Sequence, residues 1–565
     1  MSYDLLIKNG RVVDGTGSPS FKGDVGIKDG KIAEMGKLTG PAKQTIDAEG
    51  HVIAPGFIDN HCHYDAQITW DPLCTFSCYH GATTVVFGNC SLALAPVRPG
   101  DHDALISMLS RVEAIPLDVL QEGIKWSWES VGDYMDALEG KLGINAGVLM
   151  GHSAIRRYVM GDGAYDRQAS DEELKAMQQV VRLGLVDGAL GLSYNRNRGH
   201  FDHSGRPLPG VIASFEELYA LAEAMGDVGT GIIQSGASGP LELDEGYCTK
   251  LSELSGRPVV YNQIVHRWTV PDHWKRHLAH VVETVGKGSR AYPLLNPRPV
   301  NQTFTLKNCQ VFDRLPAWKP IMVASVEDKI AAFKDLELRK VLQAEAVDRI
   351  GVPMDSITLK WDKAWVVTPA LEKNAGLKGK SISEIAEETG KNVLDVFLDL
   401  ALEEDMETIF EMSLIGGDED AMAELLTSPY PVIGLSDGGA HVVFDAGYGY
   451  STHLLGHWVR DKGIMSIEDA VHKLSFVPAT VFGMYDRGLI RPGYVADVVV
   501  FDPETVAPEE TTEVFDLPGG GKRLAQMARG IDYTIVSGEV LIDHGQHTGA
   551  LPGKIVRNSR HGQES

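Results

Sequence analysis

The chain has 565 residues, 77 acidic and 52 basic, giving a formal net charge of −25 at neutral pH. That balance leaves no surplus of cations for phosphates and excludes general nucleic-acid binding, while the absence of any run of about 18 apolar residues excludes a membrane-spanning helix. Apolar residues at 43% and charged residues at 23% exclude wholesale disorder.

The length predicts a large domain with a smaller companion. Met1 to Lys8 has neither a basic start nor a long apolar core, so no signal peptide is expected. The six cysteines (62, 74, 78, 90, 248 and 309) lack a repeating spacing, which points to a reducing cytoplasm rather than a disulfide framework.

The first fifty residues read as short strands broken by glycine turns. Tyr3–Lys8 and Arg11–Asp14 flank Asn9-Gly10, and Asp24–Lys28 and Lys31–Met35 flank Asp29-Gly30. Such pairs supply positive φ cheaply and predict hairpins. The same texture returns at Ala496–Asp502 and in Tyr533–Val536, Ser537-Gly538, Glu539–Asp543. Residues 3–50 and about 495–557 are therefore expected to form one β domain, two separate small sheets being the alternative.

Between these ends, short apolar runs alternate with helical periodicity. The predicted strands are His51–Ile58, Ala82–Gly88, Ile144–Gly151, Ala189–Tyr194, Thr230–Gly236, Arg257–Gln263, Arg290–Asn296 and Pro431–Asp437. Helices are predicted at Asp171–Leu185, Ser214–Val228 and Asp272–Val285, the first two opening on capping signals. Eight such strands suggest a (β/α)8 barrel of the α/β class. The stretch 297–430 is too long for a loop and reads as an insertion with helices at Val326–Leu342, Ile382–Leu402 and Asp418–Leu426. The expected domains are 1–54 and 491–557 for the β domain, 55–490 for the barrel with its insertion, and 558–565 for a tail.

Barrel enzymes place catalytic groups at the C-terminal strand ends. His61 and His63 follow the first strand, two apart on extended backbone, so both can reach one ion while Cys62 points elsewhere. Cys90 follows the second strand, and its thiolate suits zinc. Asp437, within Ser436-Asp437-Gly438-Gly439 at the eighth strand, can hold a water and take its proton. Taken singly, each has an ordinary reading: a surface or core histidine, a small buried cysteine, a turn. Their joint placement at the ends of three strands favours a metal site.

At these residues the sequence resembles the amidohydrolase superfamily and, within it, the N-acyl-D-amino-acid deacylase family. The resemblance rests on Gly10–Gly17, Ala54–Asp65, Gly81–Val86 through Gly88-Asn89-Cys90 to Ala95-Pro96, Gly151-His152 with Arg156, Gly188–Ser193, Asp486-Arg487-Gly488 and Pro492–Asp497. It implies a (β/α)8 barrel with a small β-sandwich domain built from both termini, and hydrolysis of a C–N bond in a small-molecule amide by metal-activated water. It also implies histidine ligands at the ends of the fifth and sixth strands, where this chain has Gln234 and Asn262-Gln263.

A neutral amide oxygen from Gln234 or Gln263 is a poor zinc ligand. His266, three residues past Gln263, is either a late ligand or a polar loop residue. The retained set, His61, His63 and Asp437 with Cys90, predicts one divalent ion per chain, zinc above others, with Asp437 as general base. His152, His266 and His441 are further candidates for coordination or for orienting the leaving group.

The family's arginine after the catalytic Asp is replaced by Phe444-Asp445-Ala446. Arg298 or Arg196 can take over a substrate carboxylate, or be structural. Tyr194, Trp268, Tyr448 and Tyr450 either line a substrate pocket or belong to the core. Alternatives to deacylation are hydrolysis of a cyclic amide, carbamate or ester, or a non-catalytic scaffold that has lost metal ligands. A homo-oligomer is expected for a chain of this class, although no stretch specifies an interface.

Overall fold

The computed structural model describes residues 2–236, 241–307, 309, 311–312, 315–352, 359–443 and 445–561, with side chains omitted over 241–245. Phe444 and the last four residues of the expected tail lie outside this range. The chain divides into two compact units. One comprises Met1–Ile264, His277–Pro297 and Ala423–Ser565; the other comprises Val265–Arg276 and Arg298–Met422.

The first unit holds a sheet of eight parallel strands: β1 (Phe57–Asp59), β2 (Ala82–Phe87), β3 (Asn145–Gly151), β4 (Gly191–Tyr194), β5 (Ile232–Ser235), β6 (Val259–Tyr261), β7 (Ala291–Leu295) and β8 (Val432–Ile433). Each strand is hydrogen-bonded to the next in chain order, and β7 pairs with β8. Helices α1 (His102–Glu113), α2 (His152–Met160), α3 (Asp171–Val186) and α4 (Phe215–Val228) are among the connections. The arrangement is the TIM-like barrel of the expected fold class, its inside filled by Ile58, Val86, Leu149, Leu190, Ile232, Val260, Leu294 and Val432.

Side chains and loop backbone join the first and eighth strands. Asn60 Nδ2 donates to Ile433 O at 2.8 Å, Ser436 Oγ donates to Asp59 Oδ2 at 2.7 Å, and Asp437 N donates to His61 O at 3.1 Å. His63 N donates to Gly438 O at 2.7 Å. Burial raises the Asp59 carboxyl to about 6, against the lowering effect of its bonds from Ser436 and Ser77.

The expected strand His51–Ile58 is divided between two sheets. Val52–Pro55 pairs with Tyr3–Val12 and Val498–Phe501 in a nine-stranded, mostly antiparallel sheet that contains both ends of the chain. Gly56 makes the break: its N–H bonds Asp497 O at 2.9 Å, and a Cβ there would lie 2.2 Å from Thr83. Asn9-Gly10 does not turn a hairpin. It forms a bulge inside Tyr3–Val12, with Asn9 at φ 64°, because that strand continues along Phe21–Lys28. Asp29-Gly30 and Ser537-Gly538 are true hairpin turns with positive φ at both residues.

The second unit has its own core of Phe304, Phe312, Trp318, Phe397 and Phe410. It includes a three-stranded antiparallel sheet, Val300–Phe304, Ile409–Ile415 and Ala364–Thr368, which the sequence reading missed. The expected helix Val326–Leu342 is two, Val326–Lys334 and Leu336–Ala346, because Asp335 caps the second through Glu337 N and Leu338 N. Ile382–Leu402 likewise divides into Ile382–Thr389 and Val393–Glu403, stopped by Gly390 at φ 66° and restarted by the Asn392 cap. All six cysteines are buried and outside disulfides, and no described helix is long and apolar enough to cross a membrane.

Candidate metal centre

The closing bonds between the first and eighth strands set Asp437 beside the two histidines. His61 Nε2 lies 3.4 Å and His63 Nε2 3.8 Å from Asp437 Oδ1, and His61 Nε2 lies 3.5 Å from Cys90 Sγ. One ligand atom each from His61, His63 and Cys90 falls within 4.8 Å of the others.

Cys90 reaches this point through two consecutive left-handed residues, Cys90 at φ 53° and Ser91 at φ 72°. The turn is held from three strands. Asn89 Nδ2 donates to Cys62 O and Val86 O, Ser91 N donates to Ser193 Oγ, and Ser193 Oγ donates to Gly88 O. Asp437 at φ 51° and His441 at φ 53° are left-handed as well. Such conformations persist only where the surroundings fix them.

The donor set fits a tetrahedral ion. Bonds of about 2.0–2.1 Å to nitrogen and about 2.3 Å to sulfur space neighbouring ligands about 3.3–3.6 Å apart. The 3.5 Å between His61 Nε2 and Cys90 Sγ matches this spacing, and His63 completes a set of three within 4.8 Å, which leaves a fourth position for water beside Asp437. Burial pushes the His61 imidazole down to about 3, and burial with neighbouring His61, His441 and His200 holds His63 well below its ordinary range. Both rings are thus neutral donors. Their Nδ1 atoms are buried without a hydrogen-bond partner. Burial, together with Glu113 and Asp437, holds the Cys90 thiol well above its usual range, the state a positive ion would reverse.

At the ends of β5 and β6 the geometry closes on an amide pair. Gln234 Oε1 accepts from Cys90 N at 3.0 Å, its Nε2 donates to Asn262 Oδ1 at 3.1 Å, and Asn262 Nδ2 points to Cys90 Sγ at 3.7 Å. Asn262, rather than the expected Gln263, is therefore the strand-six residue at the thiol. Gln263 keeps a buried Oε1 without a partner and does not take part.

The other sequence candidates divide. His441 is drawn in: its N donates to Glu113 O at 2.6 Å and its Nε2 is 3.7 Å from Glu113 Oε2. His152 is held elsewhere, its Nε2 2.6 Å from Glu217 Oε1, in a buried network that Arg156 completes on Glu217 Oε2. Tyr194 packs edge-on against Tyr247 and Tyr448 against Phe76, both tyrosines 1% exposed, as core rings. His266 and Arg298 belong to the second unit, where His266 Nε2 lies 4.0 Å from Asp418.

Glu113 was missed by the sequence reading. Leu105, Leu109 and Glu113 follow one another at four-residue spacing on the buried face of α1, so the signal was a carboxylate continuing an apolar stripe.

A family model described as the amidohydrolase family matches residues 44–542. The D-aminoacylase of Alcaligenes xylosoxydans xylosoxydans is 29% identical over 558 residues, covering 98% of this chain and 97% of that protein. The crystal structure of N-acyl-D-glutamate deacylase from Bordetella bronchiseptica, complexed with zinc and a phosphonate mimic of the tetrahedral intermediate, is 25% identical. It aligns with a TM-score of 0.68 over 99% of this chain and 100% of that one. A D-aminoacylase structure concerned with its binuclear metal centre, in which one metal activates and the second attenuates, is 26% identical. Its TM-score is 0.66, over 98% of this chain and 100% of that one.

Proposed function

The chain belongs to the amidohydrolase family as a metal-dependent hydrolase of non-peptide carbon–nitrogen bonds, and we propose that it deacylates N-acyl-D-amino acids with one zinc ion per chain. The observation that carries this reading is the convergence of His61, His63 and Cys90, one ligand atom of each within 4.8 Å of the others, with Asp437 Oδ1 3.4 and 3.8 Å from the two histidines. The count of one rests on the Gln234–Asn262 pair, which offers amides where a second ion would need imidazole or carboxylate.

Bound there, a divalent ion supplies Lewis acidity and a water acidic enough to attack near neutral pH. His61 and His63 meet it as neutral donors fixed on the rim of β1. Asp437 is 36% exposed at its side chain, so it faces both the histidines and the open end of the barrel. From that position Oδ1 takes the proton of the attacking water and returns it to the leaving nitrogen, base and acid in one group. Cys90 and the amide pair close the inner side.

The test is metal content and activity together. Purified protein is expected to hold about one zinc per chain, to lose hydrolysis of N-acyl-D-amino acids on chelation and to regain it with zinc; a His61→Ala/His63→Ala variant is expected to hold none. Full activity in metal-free protein refutes the mechanism. Turnover of cyclic amides, carbamates or esters with none of N-acyl-D-amino acids keeps the metal chemistry and refutes the substrate.

A further inference from the structure

Glu113 occupies a position that is unfavourable for a carboxylate on every local count. It is the last residue of α1, where the helix presents its negative end. It is 2% exposed, and no lysine or arginine is paired with it among the described residues. A glutamate kept in such a place requires nearby positive charge or strong donors.

Two imidazoles face it. Glu113 Oε1 lies 3.5 Å from His63 Nδ1, the buried nitrogen that has no hydrogen-bond partner, and Glu113 Oε2 lies 3.7 Å from His441 Nε2. The backbone fixes the pairing, since His441 N donates to Glu113 O at 2.6 Å and Ala114 turns the chain at φ 50°. His63 thus has Asp437 on its Nε2 side and Glu113 on its Nδ1 side.

We propose that Glu113 is a positioning residue of the metal centre: it accepts a hydrogen bond from the Nδ1–H of His63, fixing Nε2 as the free donor, and ties the His441 loop to the same carboxylate. This rests on the metal reading above. A carboxylate behind a ligating histidine fixes its tautomer, raises its basicity and contributes typically 10–100-fold to metal affinity. It also explains why Glu113 is tolerated where it stands, because an ion on the far face of His63 supplies the missing positive charge.

The experiment measures zinc dissociation constants by competition with a chromogenic chelator for the full chain and for Glu113→Gln and Glu113→Asp, alongside melting of each protein without metal. Glu113→Gln is expected to melt, metal-free, at or above the original protein and to bind zinc 10–100-fold more weakly; Glu113→Asp is expected to recover part of the affinity. Equal zinc affinity in the original and Glu113→Gln proteins overturns this assignment and leaves the metal centre standing. A metal-free Glu113→Gln protein that melts well below the original shows a structural role and overturns it too. Zinc bound by none of the three overturns the assignment and the metal reading together.

Discussion

Replacing Gly88 with alanine probes how the Cys90 thiol is delivered to the histidines. Gly88 follows β2 at φ +86°, and a Cβ there would lie 2.1 Å from Leu149 O and 2.9 Å from Leu149 C, both backbone of β3. Strand backbone cannot rotate away as a side chain can, so the end of β2 must retreat by about 1 Å to reach ordinary contact. The left-handed conformation adds roughly 1–2 kcal/mol for a residue with a Cβ. Cys90 is two residues on, and metal–ligand distances tolerate only about 0.2 Å. The thiol should therefore leave the coordination shell, and zinc affinity should fall at least about tenfold, equivalent to about 1.4 kcal/mol. Chelator competition reads the affinity and circular dichroism the fold. Gly100→Ala is the control, because nothing lies within 4 Å of a Cβ at that position. Unchanged zinc affinity in Gly88→Ala would refute the argument that this approach of β2 to β3 sets the position of Cys90.

Two further outcomes follow from buried charges outside the site. Asp497 is 3% exposed and accepts from Asn145 Nδ2, Arg487 and Ser537 N; Asp497→Ala should cost about 3–5 kcal/mol in chemical unfolding, and Asp497→Asn less. Lys473 donates to Ser428 O, and burial lowers its ammonium to about 8 from 10.5. Between those two pH values the unfolded chain holds the extra proton, so stability should rise with pH there, by at most about 3 kcal/mol. Lys473→Met should accordingly melt higher than the original at pH 7 and lose that advantage by pH 10.

The periodicities that carried the barrel were local ones. Each of β2 to β8 is a short apolar run bounded by glycine or polar residues, and the pattern shows it without knowledge of its neighbours. His51–Ile58 misled because its apolar run is continuous: only Gly56, wedged against Thr83, transfers the chain from one sheet to another, and that is a tertiary constraint. Asn9-Gly10 misled for a related reason, since the positive φ it supplies serves a bulge as well as a turn. The histidines, Cys90 and Asp437 were legible from their places at strand ends. Glu113 and Asn262 were not, because one lies on a connecting helix and the other faces the thiol by the register of β6, which sequence spacing fixes only to within a residue.

The terminal sheet has a consequence for how the protein is made. Val52–Pro55 is flanked in the finished sheet by Val498–Phe501, and the Gly56 N–H is bonded to Asp497 O. At about 5–20 residues per second of synthesis, these partners leave the ribosome roughly 20–90 s apart. For that interval a wholly apolar strand, Val-Ile-Ala-Pro, waits with one edge open, an invitation to pair with another nascent chain. Its proline removes one donor from the edge, and its shortness limits the template. The strand that leads into His61 and His63 gains its anchor only when residue 497 arrives, after Ile433 and Asp437 have become available to Asn60 and His61 across the ring. A chain truncated before the final sheet strands should accumulate as an aggregation-prone species rather than as a partly active enzyme.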